Sequence, residues 1–530
     1  MPFKTTPEID FSAVGLITDV PTHSLPDGAW NDCLNLRCKD GSVQGVNTFV
    51  DDIVLEGNTT PDTNIRDGKA MAVTQFTPAG YNYLILAFIV KGVNGKGSVL
   101  TYNTKPGLTD PWNDITSATA SLEFTFDDTY PPQIFVFNEL LIVNPAVDAP
   151  PMFTDAGISS GSLNILPNWL TSDPAPVGGT TYPIVTRSLK PFGNRLMAMN
   201  IFEENTTSTS DDVNLPVDML WSSHITGIGA LTNVEWAAST TNTAGDAFAV
   251  ETPGKILDGG QLGEFFIAYK SDSVIRVSET GDTYVLSFES IFEDDGIYSS
   301  RCFANIGDAQ HLVVGNYGVY IHDGQSQKTD IAKGIFQDTI FDLVKAAEKD
   351  RAFCFQQTRD KEVWFCFSSL TNTALGCDLA FVYDYNEQKL HKRSLPGLTD
   401  IFETEIDGSL AIYATNPAST TKKLMILSNT AYEADGFFVH EDDNLSDNTS
   451  IKWINGVYLD AVQSMKIALT ATQNLTDSKA YTLKTFDPTT SHKVDFRTTG
   501  RYMNIKVQMD GDKNLKMGKM QFDVKLAGKR

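Results

Sequence analysis

Four groups of residues in this sequence have types and spacings that chemistry uses. The segment Gly157-Ile158-Ser159-Ser160-Gly161 matches the Gly-x-Ser-x-Gly turn that presents a nucleophilic serine in hydrolases. That turn requires a strand before the serine and a helix after it, whereas here the flanking residues are polar and lie in a Pro-rich stretch. The segment therefore predicts a surface loop rather than a nucleophile.

The second and third groups are acidic. The segment Asp510-Gly511-Asp512-Lys513-Asn514 begins like a calcium loop, but the glycine required next is Leu515 and the closing glutamate is Gln521. The pairs Asp127-Asp128 and Asp294-Asp295 each offer two carboxylates, yet adjacent residues of a strand point to opposite faces. We interpret the first segment as a hairpin turn and the pairs as solvated turns.

The fourth group, the six cysteines, lacks the spacing of a zinc site. Cys33 and Cys38 are the closest pair, no Cys-x-x-Cys occurs, and the histidines do not cluster beside the cysteines. Zinc knuckles require paired ligands at short spacing, so buried thiols are the favoured interpretation. Phosphate-binding Gly-Lys loops and dinucleotide-binding glycine motifs are also missing. The sequence predicts a protein that is not an enzyme, with no catalytic, metal or cofactor-binding residues.

The elements that would position a site are short and β-rich. Between Met219 and Gly324, apolar runs rich in aromatic and β-branched residues recur about every ten residues, separated by Gly, Asp, Asn or Ser. This spacing is typical of a sandwich, barrel or propeller rather than of alternating strands and helices. Residues 144–179, rich in Pro, Gly and Ser, predict a linker or long surface loop. Residues 441–448 predict an acidic loop.

One stretch, Gln337 to Lys349, has the apolar periodicity of a helix. Asp338 or Thr339 is expected to cap its start. The residues expected on its apolar face are Ile340, Leu343, Val344 and Ala347.

Two segments about sixty residues apart, Val319 to Gly324 and Phe381 to Asn386, share a pattern of apolar strand, Tyr, Asp and turn. Such spacing agrees with propeller blades. The alternation after Gly318 predicts a strand with Val319 and Ile321 buried on one face. Trp221 follows an apolar residue and precedes a polar turn, which predicts a core or blade-interface anchor rather than a ligand-stacking surface.

Length and charge bound the possible functions. A chain of 530 residues exceeds one comfortable core, so two or more modules are expected. Residues 451–530 carry 14 Lys and Arg against 7 Asp and Glu, while the formal net charge of the whole chain is −25. Apart from that basic segment, the chain is too acidic for tight binding to nucleic acid. It has neither a signal peptide nor an apolar run that spans a bilayer, which predicts a soluble protein made in a cytoplasm.

In its order of motifs, the chain resembles the tail nozzle, or tail tubular, proteins of short-tailed bacteriophages. The segments that carry the resemblance are Leu25 to Trp30, Asn35 to Arg37, Asp40-Gly41, Leu220 to Ser222, Asn242 to Gly245, Ile256 to Asp258, Gly318 to Gly324, Lys361 to Phe365, Phe381 to Tyr385, Gly500 to Tyr502 and Ala527 to Arg530. The structural motif positions within them are Trp30, Trp221, Gly318, Tyr320, Asp323, Gly324, Trp364, Tyr383, Gly500 and Arg501.

The resemblance implies a mainly β fold, a β-propeller with an additional β-rich platform module and few short helices. Residues 1–50 are expected to be an extended part of the platform, 51–440 the propeller, and 441–530 the C-terminal part of the platform. Residues 144–179 and 403–448 are the least family-like stretches and are interpreted as insertions.

The resemblance also implies a structural virion protein. Six subunits would form a tube below the portal and adaptor rings, sealing packaged DNA and conducting it during ejection. The implied partners are the head–tail adaptor ring, tail fibre or needle proteins, and double-stranded DNA passing through the lumen without sequence-specific binding. The implied location is the virion tail, assembled in the host cytoplasm. The alternative is a propeller that degrades or binds polysaccharide as a tail component, which would need carboxylates converging on one cavity.

Overall fold

The computed structural model describes residues 4–54, 69–78, 83–105, 107–108, 111–116, 124–127, 129–154, 163–170, 184–203, 212–225, 234–281, 285–307, 309–406, 409–417, 423–445, 447 and 449–529. Nearly all regular structure in these residues is β-strand. The chain begins with seven short strands and one turn of 3₁₀ helix at Thr22–Ser24. These strands are β1 Lys4–Thr5, β2 Glu8–Ile9, β3 Gly15–Leu16, β4 Ala29–Trp30, β5 Asp32–Leu34, β6 Leu36–Lys39 and β7 Ser42–Gly45.

Seven antiparallel sheets of four principal strands, numbered here as blades 1 to 7, come next in the described residues. Blades 1 to 3 are β9 Lys69–Phe76, β10 Ile85–Lys91, β11 Lys96–Asn103 and β12 Trp112–Asp114; β14 Gln133–Phe137, β15 Leu140–Asn144, β16 Met152–Thr154 and β17 Asn164–Ile165; and β18 Ile184–Phe192, β19 Arg195–Glu203, β20 Val213–Trp221 and β21 Gly245–Phe248. A short extra strand, β13 Phe124–Thr125, pairs with β11.

Blades 4 to 6 keep the same simple order. They are β22 Ile256–Leu262, β23 Phe265–Lys270, β24 Val274–Glu279 and β25 Leu286–Phe292; β26 Phe303–Ile306, β27 Gln310–Val314, β28 Val319–His322 and β29 Lys328–Asp330; and β30 Phe353–Gln357, β31 Glu362–Phe367, β32 Cys377–Asp384 and β33 Lys389–Leu398. Blade 7 combines β34 Asp400–Ile406, β35 Ser409–Thr415 and β36 Lys423–Tyr432 with β8 Asn47–Val54, which precedes blade 1 in the chain.

The blades form a closed ring. The first strand of each blade contacts the first strand of the next: β9 with β14, β14 with β18, β18 with β22, β26 with β30, β30 with β34, and β34 back to β9. Between blades 4 and 5, Gly260 lies so close to the ring of Phe303 that an added Cβ would be 2.7 Å from it. Because β8 supplies the outer strand of blade 7, a strand from the N-terminal part completes the ring. The fold is a seven-bladed β-propeller with a platform module.

Apolar clusters fill the spaces between neighbouring blades. One joins blades 3 and 4, another joins blades 6 and 7, and a third joins blades 7 and 1. A blade that has a neighbouring blade packed on each side is covered on both faces. This explains why strands such as β31 are buried along their whole length. The strand predicted at 318–323 is confirmed as β28, but its single buried face is wrong. Val319 is buried as predicted but Ile321 is only partly buried, whereas Tyr320 and His322 on the opposite face are buried because a second blade packs there.

Trp221 lies at the end of β20, inside the cluster between blades 3 and 4. Its side chain is 7% exposed, and its Nε1 donates a hydrogen bond to the Thr243 carbonyl oxygen at 3.1 Å. Gly245 lies beneath the indole, where a Cβ would approach the ring to 2.5 Å. The indole of Trp221 therefore packs directly against the backbone of Gly245, where there is no room for a side chain.

We expect Trp221→Ala to lower the free energy of unfolding by about 3–5 kcal/mol, because it opens a cavity that the neighbouring blade cannot close. Denaturant unfolding of the purified protein measures this. Phe248→Ala, an aromatic truncation on the adjacent strand at a position 55% exposed, is the control and is expected to change stability by about 0.5 kcal/mol or less. An unchanged melting temperature for the Trp221 variant would contradict the anchor.

The platform module is woven from both ends of the chain. Its C-terminal strands are β37 Phe437–Asp443, β38 Ser450–Ala461, β39 Met465–Thr472, β40 Lys484–Phe486, β41 Lys493–Gly500, β42 Tyr502–Met509 and β43 Lys516–Lys529. One sheet has the order β41-β38-β43-β7-β6, with β1 and β2 also pairing with β43. The second sheet has the order β40-β39-β42-β37-β5. Their facing sides share one apolar core.

Buried polar contacts join the platform to blade 6. The guanidinium of Arg37 on β6 lies 2.9 Å from a Glu362 carboxylate oxygen and 3.1 Å from one of Asp360. Lys39 also pairs with Asp360. The Asn35 side chain both donates to and accepts from Ser394 on β33. The two modules are therefore fixed to each other through side chains that are mostly withdrawn from solvent.

The helix predicted at 337–349 is shorter in the structure. Helix α1 spans Gln337–Leu343, and a 3₁₀ segment covers Ala346–Arg351. Between them Val344 forms a β-bridge with Ser369, which draws the backbone out of the helix. The predicted cap is also wrong, because the Asp19 carboxylate, far away in sequence, accepts from the backbone N–H groups of Asp338 and Thr339.

Three further expectations are corrected. Residues 144–179 include β16 and β17, so the described part belongs to blade 2 rather than to a linker. The 403–448 stretch forms most of blade 7 and the platform strand β37 rather than an insertion or acidic loop. Segments of this kind lack a simple apolar pattern because outer strands expose much of their surface, as β17 does. Residues 510–514 connect strands of two different sheets and are not a hairpin turn.

Candidate functional site

The motif residues of the sequence lie in separate regions and do not form one site. Trp30 belongs to the platform, where its ring stacks on Phe438 with 5.0 Å between centroids. Gly500 fits where an added Cβ would be 2.7 Å from backbone atoms of Ala471 and Thr472. The backbone oxygen of Arg501 accepts a hydrogen bond at 2.9 Å from the buried Lys452 ammonium. These roles are structural.

The motif residues of blade 5 shape a strand and its turn. Gly318 lies in the turn before β28, with its oxygen accepting from the Gly315 N–H. Tyr320 is buried and donates to the Gly296 carbonyl oxygen at 3.0 Å. Asp323 accepts from the Gln325 N–H, and Gly324 adopts a φ of 80°, which favours glycine.

In blade 6, Trp364 is fully buried and its Nε1 donates to Glu362 at 2.9 Å. The Arg393 guanidinium lies 4.0 Å from the centre of its ring. Tyr383 is half-buried, and burial raises the pKa of its hydroxyl. The Gly157 to Gly161 motif and Asp128 lie outside the described residues.

A connected group of polar residues instead surrounds the propeller axis, and we name it the axial belt. Its centre is Arg301, which immediately precedes blade 5. The Arg301 guanidinium pairs with the Asp400 carboxylate of blade 7, and Asp400 also accepts from the Val73 N–H of blade 1 at 3.0 Å. The Arg301 backbone N–H donates to Asp258 of blade 4 at 2.9 Å. One residue thus connects blades 4, 5, 7 and 1.

The axial belt continues on the other side of Asp258. The Ser188 hydroxyl of blade 3 donates to the Asp258 carboxylate at 2.7 Å, and the Lys190 ammonium lies 3.2 Å from it. Gln133 of blade 2 donates to Ser188 and accepts from the Leu189 N–H. The axial belt therefore extends to blade 3 through a hydrogen bond and an ion pair with Asp258, and to blade 2 through hydrogen bonds.

Blade 6 joins the axial belt through the same arginine. The Cys354 N–H donates to the Arg301 carbonyl oxygen at 2.7 Å, and the guanidinium lies 4.8 Å from the centre of the Phe353 ring. Arg301 has a φ of 66°, in the left-handed region that costs a non-glycine residue about 1 kcal/mol. Burial raises the pKa of Asp400, and the charge of Arg301 opposes that rise. The backbone conformation of Arg301 is unfavourable, and the contacts that the axial belt makes in all seven blades offset its cost.

The two ends of the axis have different surfaces. At the end where the first strands begin there is a narrow cavity, which we name the entry cavity. Its lining residues are Met71, Ala72, Phe126, Pro131, Pro132, Arg301, Asp350, Arg351, Leu375, Gly376 and Thr399. The opposite end opens more widely and carries the carboxylates of Glu403 and Glu405.

A second buried polar group, which we name the histidine pair, lies between blades 4 and 5. The Tyr269 hydroxyl is 2.7 Å from His311 Nδ1 and 2.8 Å from His322 Nε2. His311 Nε2 is 3.2 Å from the Gln261 carbonyl oxygen, which only accepts. The Gly324 N–H donates to His322 Nδ1. These partners assign one neutral tautomer to each ring.

Burial lowers the pKa of His311 to about 4, and burial with the charges of His311 and Lys328 lowers the pKa of His322 to about 3. Burial likewise raises the pKa of the Cys33 and Cys302 thiols to about 12. Thiols held in this way are poor nucleophiles. No group of three His, Cys, Asp or Glu side chains that could hold a metal ion occurs within the described residues.

The axial residues were not found by reasoning from the sequence. Asp258, Arg301 and Asp400 are isolated charged residues far apart in the chain, and only closure of the ring brings them together. The sequence feature that could have indicated them is a charged residue within or just before an apolar strand, as at Asp258 and Asp400. The charged side chains of the axial belt form ion pairs with each other, as Arg301 does with Asp400 and Lys190 with Asp258. This arrangement suits the axial belt to holding the blades together.

Comparisons with known proteins find distant structural likenesses only. No known family matches the chain, and no curated protein matches its sequence. Among solved structures, the WD40 domain of Neurospora crassa Pan2 is 8% identical, with a TM-score of 0.37, covering 73% of this chain and 95% of that one. The extracellular domain of a hybrid two component system from B. thetaiotaomicron is 8% identical, with a TM-score of 0.35, covering 85% of this chain and 47% of that one.

Helices in the described residues are all too short or too polar to cross a membrane. The propeller assignment itself rests on the seven sheets and on the contacts that close their ring.

Proposed function

We propose that this chain is a structural subunit of the tail nozzle of a short-tailed bacteriophage, located in the virion tail and assembled in the host cytoplasm. In this role several copies, six by the resemblance, form a tube that seals packaged DNA and conducts it during ejection. The proposed partners are the head–tail adaptor ring above and tail fibre or needle proteins around the tube. The proposal draws on the order of motifs along the chain, from Trp30 to Arg501.

The single observation that carries the proposal is how the two modules are built into one body. Both chain ends are interleaved in the same platform sheets, and β8 closes the propeller beside them. The charged residues at the junction are paired across it, as Arg37 is with Glu362. A body of this kind resists separation of its parts under force, which a tube that retains packaged DNA requires.

Charge supports the same role. Apart from residues 451–530 the chain is strongly acidic, so a lumen lined by that surface repels DNA rather than retaining it. The basic residues of the platform are then expected to contact acidic surface of a neighbouring subunit or of the ring above. Contacts between opposite charges favour specificity and rate of association.

We expect ring assembly to weaken as salt rises from about 0.05 to about 0.5 M, because screening shortens the range of these contacts. Negative-stain imaging and analytical ultracentrifugation of the purified protein measure it. A Lys513→Glu/Lys516→Glu variant, altered at exposed platform lysines, should assemble poorly at every salt concentration. Lys333→Glu/Lys349→Glu, altered at exposed propeller lysines, is the control and should assemble like the native chain.

Discrete monomers at all protein concentrations and low salt would contradict the proposal. So would a ring whose lumen is lined chiefly by Lys506, Lys513, Lys516 and Lys519. A ring with a central hole and an acidic lumen is the expected result.

A further inference from the structure

We propose that the entry cavity binds a lysine or arginine side chain presented by a protein partner, and that Asp350 is the residue that holds its charged end. This binding site goes beyond the tube-forming role and does not depend on it, because the cavity lies within a single chain. The argument rests on the walls of the cavity, on the pairing of its charges and on its width.

The walls of the entry cavity are mainly apolar. Phe126, Pro131 and Pro132, just before blade 2, form one part, and Met71 of β9 lies near them. Leu375, from the connection between β31 and β32, contributes on the side of blade 6. Apolar walls of this kind favour the methylene groups of a long side chain over a fully polar ligand.

Most charges in the cavity are already neutralised by the protein. Arg301 pairs with Asp400, and Arg351 lies 3.1 Å from a Glu348 carboxylate oxygen. Asp350 is half-buried, and it has neither a hydrogen bond nor an ion pair with any described residue. The charge left without a contact partner in this cavity is therefore negative.

The surroundings of Asp350 favour a cation at that position. Burial raises the pKa of its carboxyl, the charges of Lys349 and Lys255 oppose this rise without contacting the carboxylate, and the charge of Asp127 adds slightly to it. A positive group placed against the carboxylate would offset the cost of burial. The net charge of −25 also attracts cations toward the chain over longer distances.

Because the entry cavity is narrow, its shape favours an extended side chain over a sugar ring. The cavity is narrow, and its walls come from several blades fixed by the axial belt. An unbranched methylene stem with a charged end enters such a slot more readily than a pyranose ring. Lysine and arginine side chains have this shape, with an apolar stem and a charged end.

The test uses the whole chain and short peptides as probes. The peptides are acetyl-Gly-Gly-Lys-Gly-Gly-amide, its arginine analogue and its norleucine analogue, which keeps the stem and lacks the charge. Binding is measured by ligand-observed NMR and calorimetry at pH 7.5. We expect the lysine and arginine peptides to bind about tenfold more tightly than the norleucine peptide, the size of one favourable charged contact.

Asp350→Asn is the variant that tests the residue, and it should weaken the lysine peptide about tenfold while leaving the norleucine peptide unchanged. Asp342→Asn, at an exposed carboxylate of α1, is the matched control and should bind like the native chain. Hexylamine is the small-amine probe and should bind more weakly than the lysine peptide if the occupant is part of a protein segment.

Three results would overturn the proposal. They are equal binding of the lysine and norleucine peptides, equal binding by the native chain and Asp350→Asn, and hexylamine binding as tightly as the lysine peptide. Absence of binding by every peptide would overturn it as well. Because the measurement uses single chains, failure here is separate from failure of ring assembly.

Discussion

Replacing Arg301 with Ala is expected to lower the free energy of unfolding by about 2–4 kcal/mol, because the half-buried Asp400 carboxylate loses its charged partner. The same change removes the stacking on Phe353 and separates blade 5 from blade 7. Guanidinium unfolding at pH 7.5, followed by tryptophan fluorescence, measures the effect. An effect below about 1 kcal/mol would show that the axial belt does not hold the ring.

Two further variants separate charge from backbone in this prediction. Asp400→Asn combined with Arg301→Ala should recover part of the loss, since no unpaired, half-buried charge remains. Arg301→Gly should be about 1 kcal/mol more stable than Arg301→Ala, because glycine adopts the φ of 66° without steric cost. Equal stability of the alanine and glycine variants would contradict the assignment of backbone strain.

Acid is expected to destabilise the propeller through the histidine pair. The pKa of His311 is lowered to about 4 and that of His322 to about 3 in the folded chain, whereas an unfolded histidine titrates near pH 6.5. Above that pH both states are neutral and stability is independent of these groups. Below it the unfolded chain binds protons that the folded chain refuses, so stability falls as pH falls.

The slope approaches about 1.4 kcal/mol per pH unit for each histidine below pH 6.5, which gives a loss of about 4 kcal/mol for the pair between pH 7.5 and pH 5. The measurement compares unfolding of the native chain with that of His311→Gln/His322→Gln at pH 7.5, 6 and 5. The stability difference between them should shrink by this amount. The pKa of His391 is also lowered to about 4, but it contributes to both proteins and cancels.

A direct titration keeps this prediction testable even where the double variant folds poorly. In the native chain, the imidazole NMR signals of His311 and His322 should stay constant from pH 8 to pH 5. The exposed His23 serves as the reference in the same sample. Titration of either buried ring within that range would contradict the neutral network around Tyr269.

The sequence by itself determined the local character of the chain. Alternating residues between Gly318 and the Asp323-Gly324 turn predicted the strand at β28, because pleat and turn geometry depend on neighbouring residues. Repeated short strands predicted a mainly β fold in the form of a sandwich, barrel or propeller, and the resemblance implied the propeller. The platform was expected only from the resemblance, and the role in a phage tail remains a proposal.

Tertiary structure decided what depends on distant residues. Helix α1 stops early because Val344 pairs with Ser369, and Tyr320 and His322 of β28 are buried on the face predicted to be exposed because a second blade packs there. Neither effect is visible in local periodicity. The axial belt is the clearest case, since Arg301 and Asp400 are about one hundred residues apart and meet only when blade 7 closes against blade 1. A contact that requires the whole ring cannot be read from the spacing of its members.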